Sequence, residues 1–280
     1  MDILMGCGAV LVGIGTLMAI GGADYNVWVA SNLLSGYVGN SPLAAYGLVN
    51  SMWSVYLWRK AYQHKAAGAR VLRGRSSMAQ LNRRVRNIQV YSAVNGLSTA
   101  VGGAAGMITS TMWWGYVILI PVILSSIFCN AWWRREAGYD RPVVGDTVAI
   151  DTDSLVAELE FVASVRQEIE ARRSAPLDKL VAEPASVASV VEFISANDLF
   201  EAFIVHLLNK SHLRTILFNL QGPEFKIEAA DLLAAPEDSH PGIIEAAQKF
   251  VGEVGPTHFK HRERYLVEIL GSYLHILYAA

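Results

Sequence analysis

The residues of this chain that are best suited to do chemistry lie in its second half. Asp151 and Asp153 follow the apolar run 148–150, and two carboxylates at the end of a strand can bind a divalent cation. Such a site needs an α/β sheet to position it, and no alternation of strands and helices follows the pair. We therefore expect Asp151 to begin a helix, where an acidic side chain accepts hydrogen bonds from free backbone N–H groups.

Histidines provide the other candidate metal ligands. His258 and His261 are three residues apart on a predicted helix, so they lie on the same side of it. Glu237, Asp238 and His240 fall in a predicted loop before that helix. A metal site requires convergent ligands in the right number, and the spacing alone does not supply them. The sequence therefore predicts no metal site and no cofactor.

Catalytic signatures are absent from the sequence. It contains no phosphate-binding GxxxxGK[ST], no GxSxG and no HExxH. Its two cysteines, Cys7 and Cys129, fall in apolar stretches, and we interpret both as small core residues rather than a redox pair. The one glycosylation sequon begins at Asn209. We expect no catalytic residues, and a protein that is not an enzyme.

Charge is distributed very unevenly along the chain. The first 58 residues contain no lysine or arginine, and residues 87–133 contain no charged residue. Between them lies a basic cluster of nine residues: Arg59, Lys60, Lys65, Arg70, Arg73, Arg75, Arg83, Arg84 and Arg86. Apolar segments on both sides of a basic loop indicate membrane spans that flank a cytosolic segment.

The apolar stretches predict four membrane-spanning helices, each close to the length of about 20 residues that a bilayer requires. They cover about 3–22, 42–58, 88–109 and 112–133. The predicted fold is all-α, with a four-helix transmembrane bundle over residues 1–137, a linker at 138–151 and an acidic, helical cytosolic domain over 152–280. Both termini are then cytosolic.

The first predicted span could instead be a signal peptide that is cleaved. A signal peptide has a positively charged start, whereas Asp2 is the only early charge here, although small residues near Gly22 and Ala23 resemble a cleavage site. We expect residues 1–23 to be retained as a helix. Cleavage would leave three spans and the same orientation.

Small residues in the third span predict close helix packing, because helices in lipid associate where their backbones can approach. Gly96 and Ala100 belong to a repeat of small residues, and Gly102 and Gly106 form a GxxxG motif beside it. Ordinary packing inside one bundle and a gating or dimerisation face both fit this pattern. No charged residue or histidine lies within the four spans, which argues against proton relays and voltage sensors.

The sequence of residues 134–280 predicts a series of helices. A helix is expected from Asp151 to about Arg173, with Leu155, Leu159, Val162 and Ile169 on its core face. Others are expected from Pro184 to Asn197, from Ser211 to Gly222, from Pro241 to about Val251, and from about Thr257 to the end.

The basic cluster has two candidate partners on the cytosolic side. The first candidate is the acidic domain, because residues 134–280 carry 14 basic and 23 acidic residues. The second is anionic lipid, whose head groups also attract lysine and arginine. We predict that the cluster contacts lipid or the acidic domain through these residues: Arg59, Lys60, Arg70, Arg73, Arg75, Arg83, Arg84 and Arg86. Interleaved aromatic residues that would stack on bases are lacking, so no nucleic acid is expected.

The function that the sequence favours is a membrane-tethered helical interaction or scaffold module. Its partners would be the bilayer, including anionic lipid, and another protein or a second copy of the chain. The alternative is a small transporter or channel subunit, which the small-residue spans and Pro121 would suit.

Overall fold

The computed structural model describes residues 2–21, 24–109, 112, 114–140, 150–210 and 227–278, without the side chains of 2–5. It is 86% helical and has no strand in these ranges, which confirms the all-α prediction. Three predicted features lie wholly or partly outside the described residues: the cleavage-like site at Gly22 and Ala23, most of the linker, and the helix expected from Ser211 to Gly222.

The chain divides into two compact units, and the first contains residues 1–138 and 274–280. Its helices are α1 (Asp2–Met18), α2 (Tyr25–Asn32), α3 (Ser41–Val71), α4 (Ser76–Ile108) and α5 (Trp114–Trp132). Two of them continue into π-helical turns, α2 through Leu33–Val38 and α5 through Trp133–Ala137.

The second unit contains residues 139–273. Its helices are α6 (Thr152–Ala171), α7 (Leu177–Leu180), α8 (Val187–Ala196), α9 (Phe200–Leu208), α10 (Ala229–Leu233) and α11 (His240–Tyr278). The last residues of α11 are grouped with the first unit.

Helix α3 continues far beyond the apolar part of its sequence. It carries the first four basic residues of the cluster and ends at Val71. Gly74 then adopts a positive φ of 84°, a conformation that costs glycine little because it has no Cβ. The turn at Gly74 allows α4 to begin at Ser76 and to carry the last three basic residues. The basic cluster is therefore a helical hairpin rather than an irregular loop.

One helix in the described part of the chain is long and apolar enough to cross a membrane. It covers Trp114–Ala137, has a mean hydropathy of 1.8 and is only 11% buried. The apolar part of α1 is shorter, and α3 and α4 are less apolar because polar residues such as Asn50 and Asn95 interrupt them. The predicted four-helix transmembrane bundle is therefore not confirmed.

The first unit places small and polar residues inside and large apolar residues outside. On α4 the buried residues include Ser92, Ser98, Gly102, Gly103 and Ala105. On α5 nine large apolar side chains are exposed, whereas the described residues of the whole second unit expose five. Large exposed apolar surfaces are uncommon on monomeric soluble proteins.

The second unit has an ordinary hydrophobic core. Leu155, Leu159, Val162 and Ile169 of α6 are all buried, which confirms the core face that their spacing predicted. Aromatic rings complete this core, including Phe203 of α9 and Phe250 of α11, whose ring centroids are 5.4 Å apart.

Two sequence-based predictions were wrong. Helices were expected to end near Val251 and to restart near Thr257, but α11 runs through Pro256 without a break. Proline removes one backbone hydrogen bond, and the burial of Val251 and Phe259 on either side offsets that loss. Cys7 is exposed rather than buried in a core, whereas Cys129 is buried as expected.

Candidate membrane-surface site

The eight residues predicted to contact lipid or the acidic domain lie in the part of the α3–α4 hairpin that contains its turn, between Arg59 and Arg86. One close contact holds the hairpin together here: Gly68 of α3 faces the side chain of Leu81 on α4, and Leu81 is buried. Arg59, Arg70, Arg73, Arg75, Arg83 and Arg86 are exposed, and Lys60 is half-buried. The hairpin therefore displays most of its positive charge to the surroundings.

Arg84 differs from the other cluster residues because it is buried. Its guanidinium donates a hydrogen bond to the backbone carbonyl of Ala137, at the end of the π-helical turn after α5. The residues around it reinforce this junction, since Asn87 donates to Glu136 at 3.4 Å and Arg83 lies 3.8 Å from the same carboxylate. Arg84 thus makes an intramolecular contact within the first unit.

A second intramolecular contact involves the end of the chain. Arg70 donates a hydrogen bond of 3.3 Å to the backbone carbonyl of Tyr278, and the ring centroids of His64 and His275 are 6.4 Å apart. All four residues belong to the first unit. A contact of the basic cluster with residues 139–273 stays a prediction.

A basic groove lies on the hairpin. It has a volume of about 550 Å³ and is lined by Lys65 of α3 and by Ala79, Asn82, Arg83, Val85, Arg86 and Gln89 of α4. Only Arg83 and Arg86 of this lining were among the predicted contact residues. The signal that could have found the others is the helical spacing of positions 82, 86 and 89, which share one face of α4.

The predicted packing glycines face different neighbours. A Cβ at Gly96 would lie 2.9 Å from Ser54 Cβ of α3, and one at Gly102 would lie 2.9 Å from Val122 Cγ1 of α5. At Gly106 the nearest atom, of Leu43, is at an ordinary 3.5 Å. Ala100 is half-buried.

The backbones of α3 and α4 approach each other closely at two glycines that the sequence patterns did not single out. A Cβ at Gly47 would collide with the backbone carbonyl of Thr99, and one at Gly103 would lie 3.1 Å from Ala44 Cα. Gly47 is the one glycine in the predicted second span, which is the signal that could have drawn attention to it.

Polar side chains bridge α3 and α4 beside these glycines. Ser51 donates to the carbonyl of Gly96 at 2.7 Å, and Asn95 donates to the hydroxyl of Ser54 at 3.1 Å. Thr99 lies within 3.3 Å of the Ser51 hydroxyl. These residues bond one another across the helix interface, which is the common role of polar groups between helices in lipid.

The candidate metal ligands of the second unit bond different partners rather than one another. Asp151 caps α6 as predicted, accepting hydrogen bonds of 3.0 Å from Asp153 N and Ser154 N, and hydrogen bonds from Ser154 lower the pKa of Asp151. His261 Nδ1 lies 3.0 Å from the Asp140 carboxylate. The described residues include no group of three or more potential ligands close enough to hold a metal ion.

His258 belongs to a polar cluster at the end of α8. Its Nε2 lies 2.9 Å from the backbone carbonyl of Asn197, and Arg262 bonds both Asn197 Oδ1 at 3.4 Å and the Glu158 carboxylate at 2.7 Å. Asp198 follows with a positive φ of 56°, so the chain turns sharply from α8 to α9. The cluster thus ties α6, α11 and this turn together.

Acid is expected to destabilise the second unit through His258. Burial lowers the pKa of His258 below its ordinary value of 6.5, so the unfolded state binds more protons between the two values. The stabilisation is then complete above pH 6.5 and is lost as the pH falls through the folded pKa. Hydrogen exchange of the α11 amides, measured as the pH is lowered, should report this loss.

The variant His258→Gln should weaken that pH dependence without abolishing it, because burial also lowers the pKa of His206. An unchanged pH dependence in the variant would show that His258 is not its source.

The comparisons with known proteins identify no relative. No family model, curated protein or solved structure shows a significant match to this chain.

Proposed function

We propose that the chain is a membrane-tethered helical interaction module, in which α1, α3, α4 and α5 cross the bilayer and residues 139–273 face the cytosol. One observation carries the proposal: the first unit buries small and polar residues and exposes large apolar ones. Lipid tails solvate such an exterior, and small residues allow the helices to approach one another.

The charge pattern supports the orientation. All nine basic residues of the cluster lie at one end of the α3–α4 hairpin, and basic segments beside membrane spans remain on the cytosolic side. Arg134 and Arg135, at the end of α5, have the same sign. Both termini are then cytosolic.

The second unit supports the interaction role by its composition. It has a buried apolar core of its own. A folded, acidic, anchored domain of this kind can serve as a docking element for another protein or for a second copy of the chain. For the transporter alternative, the polar residues between α3 and α4 would have to line a pathway, but they bond one another instead.

Glycosylation in microsomes tests this topology. A glycosylation reporter attached after Ala280 is expected to remain unmodified, and so is the natural sequon at Asn209. The same reporter inserted on a long linker between Ser110 and Thr111 should be modified, because that junction lies on the opposite side. Chemical crosslinking in the same membranes should join partner proteins to residues 139–273. Modification at the C-terminus would mean that the orientation is wrong.

A further inference from the structure

The basic groove on the α3–α4 hairpin contains polar side chains that the protein itself does not use. In the described part of the chain, Lys65, Asn82, Arg86 and Gln89 form no hydrogen bond and no ion pair. The Asn82 Oδ1 atom is buried without a partner, and because it is an acceptor it suits a hydroxyl group of a ligand rather than a phosphate oxygen. These groups are available to a ligand.

The lining favours a ligand of one charge. Lys65, Arg83 and Arg86 are cationic, and no acidic side chain lines the groove. Arg83 alone has a nearby carboxylate, Glu136, at 3.8 Å. The amide groups of Asn82 and Gln89 add N–H donors, whereas Ala79 and Val85 contribute apolar surface. Cations, neutral donors and a small apolar area together suit an anion that is attached to an organic group.

We propose that this groove binds the phosphate group of an anionic lipid. Arginine can donate two parallel hydrogen bonds to phosphate oxygens, and lysine supplies a compact positive charge. The proposal rests on the membrane topology given above for the source of the phosphate, but not for the binding chemistry.

The position of the groove along the proposed membrane normal agrees with a lipid ligand. Lys65 follows Trp58, the last aromatic residue of the proposed second span, by seven positions, which is about 10 Å along a helix. Gln89 lies at the start of the proposed third span. Head groups occupy a layer roughly 5–8 Å thick outside the hydrocarbon core, so the groove extends through that layer.

Matched pairs of substitutions test the site. Lys65→Gln with Arg86→Gln removes two positive charges from the groove. Arg59→Gln with Arg73→Gln removes two from exposed positions outside it, where neither residue has an ion-pair partner in the described chain. All four side chains are exposed, so both variants should fold, and their melting temperatures in detergent verify this.

Native mass spectrometry of the full chain in detergent measures binding of phosphatidylglycerol, with phosphatidylcholine as the zwitterionic comparison. The groove variant should bind phosphatidylglycerol about thirtyfold more weakly than the wild type, which corresponds to roughly 1 kcal/mol for each charge-assisted contact with the phosphate that is lost. The control variant, Arg59→Gln with Arg73→Gln, should lose less than about threefold in its affinity for phosphatidylglycerol. The charge-preserving variant Lys65→Arg with Arg86→Lys should retain most of the affinity.

Inorganic phosphate, titrated in the same detergent, distinguishes the sources of the ligand. If phosphatidylglycerol binds and inorganic phosphate does not, the lipid is the ligand. If both bind and both are lost in the groove variant, the site accepts soluble phosphate and the assignment to lipid is overturned. Equal losses in the two double variants, or no binding by the wild type, would overturn the groove as a site. None of these results depends on the glycosylation experiment, so the two proposals fail separately.

Discussion

Replacing Gly47 by alanine is expected to destabilise the first unit by about 2 kcal/mol, in the range typical of overpacked cores. The added Cβ would collide with the carbonyl of Thr99, which is backbone and cannot rotate away. Relief would require α3 and α4 to separate, and the hydrogen bonds of Ser51 and Asn95 between the two helices would weaken as they do so.

Gly13→Ala is the matched control for this substitution. Gly13 also lies inside a helix, but nothing lies within 4 Å of a Cβ at that position. Since alanine favours a helix over glycine by roughly 1 kcal/mol, this variant should be unchanged or more stable. All seven tryptophans lie within residues 1–138, so thermal unfolding followed by tryptophan fluorescence in detergent reports on this unit. Equal melting temperatures for Gly47→Ala and Gly13→Ala would contradict the close approach of α3 and α4.

Replacing Arg262 by methionine should destabilise the second unit by about 2–3 kcal/mol. Arg262 lies 2.7 Å from the Glu158 carboxylate, and the two side chains are only 14% and 23% exposed. Removing the cation leaves a largely buried carboxylate unpaired, which costs more than the pair contributes. We place the effect below that of a fully buried pair because solvent still reaches both groups.

Lys249→Met provides the comparison on the same helix. Lys249 and Glu253 lie 3.9 Å apart and are 59% and 57% exposed, so this substitution should change stability by less than about 0.5 kcal/mol. Hydrogen exchange of the α6 and α11 amides in the full chain measures both variants. Adding Glu158→Gln to Arg262→Met should recover part of the loss, because it removes the unpaired charge. Equal protection in the two single variants would show that the polar cluster contributes little.

Local sequence patterns predicted the second unit well where one face of a helix is buried. The spacing of apolar residues in α6 identified its core face, and Asp151 marked its first turn. The same logic failed at Pro256, because proline is a local signal whereas the burial of Val251 and Phe259 depends on residues distant in sequence. The polar cluster of Glu158, Asn197 and Arg262 was missed for the same reason.

In the first unit, the pattern of small residues predicted close packing without saying which neighbour each residue meets. Gly96 faces α3 and Gly102 faces α5, since six positions on a helix do not return to the same face. Hydropathy supported one of the four predicted spans, the one within Trp114–Ala137, and did not confirm the other three. Three of the polar residues that lower the hydropathy of α3 and α4, namely Ser51, Ser54 and Asn95, bond across their interface, and a single sequence does not reveal such pairing.

The hydrogen bonds between α3 and α4 have a consequence for biosynthesis under the proposed topology. Alone in the hydrocarbon, either helix would expose serine and asparagine side chains, whose insertion is unfavourable. Paired, Ser51 reaches Gly96 and Asn95 reaches Ser54, so the two helices become compatible with lipid together. The chain between them turns at Gly74 and carries the positive charges that resist translocation. Cotranslational insertion would therefore retain α3 beside the translocon until α4 emerges, and the hairpin would enter the bilayer as one unit.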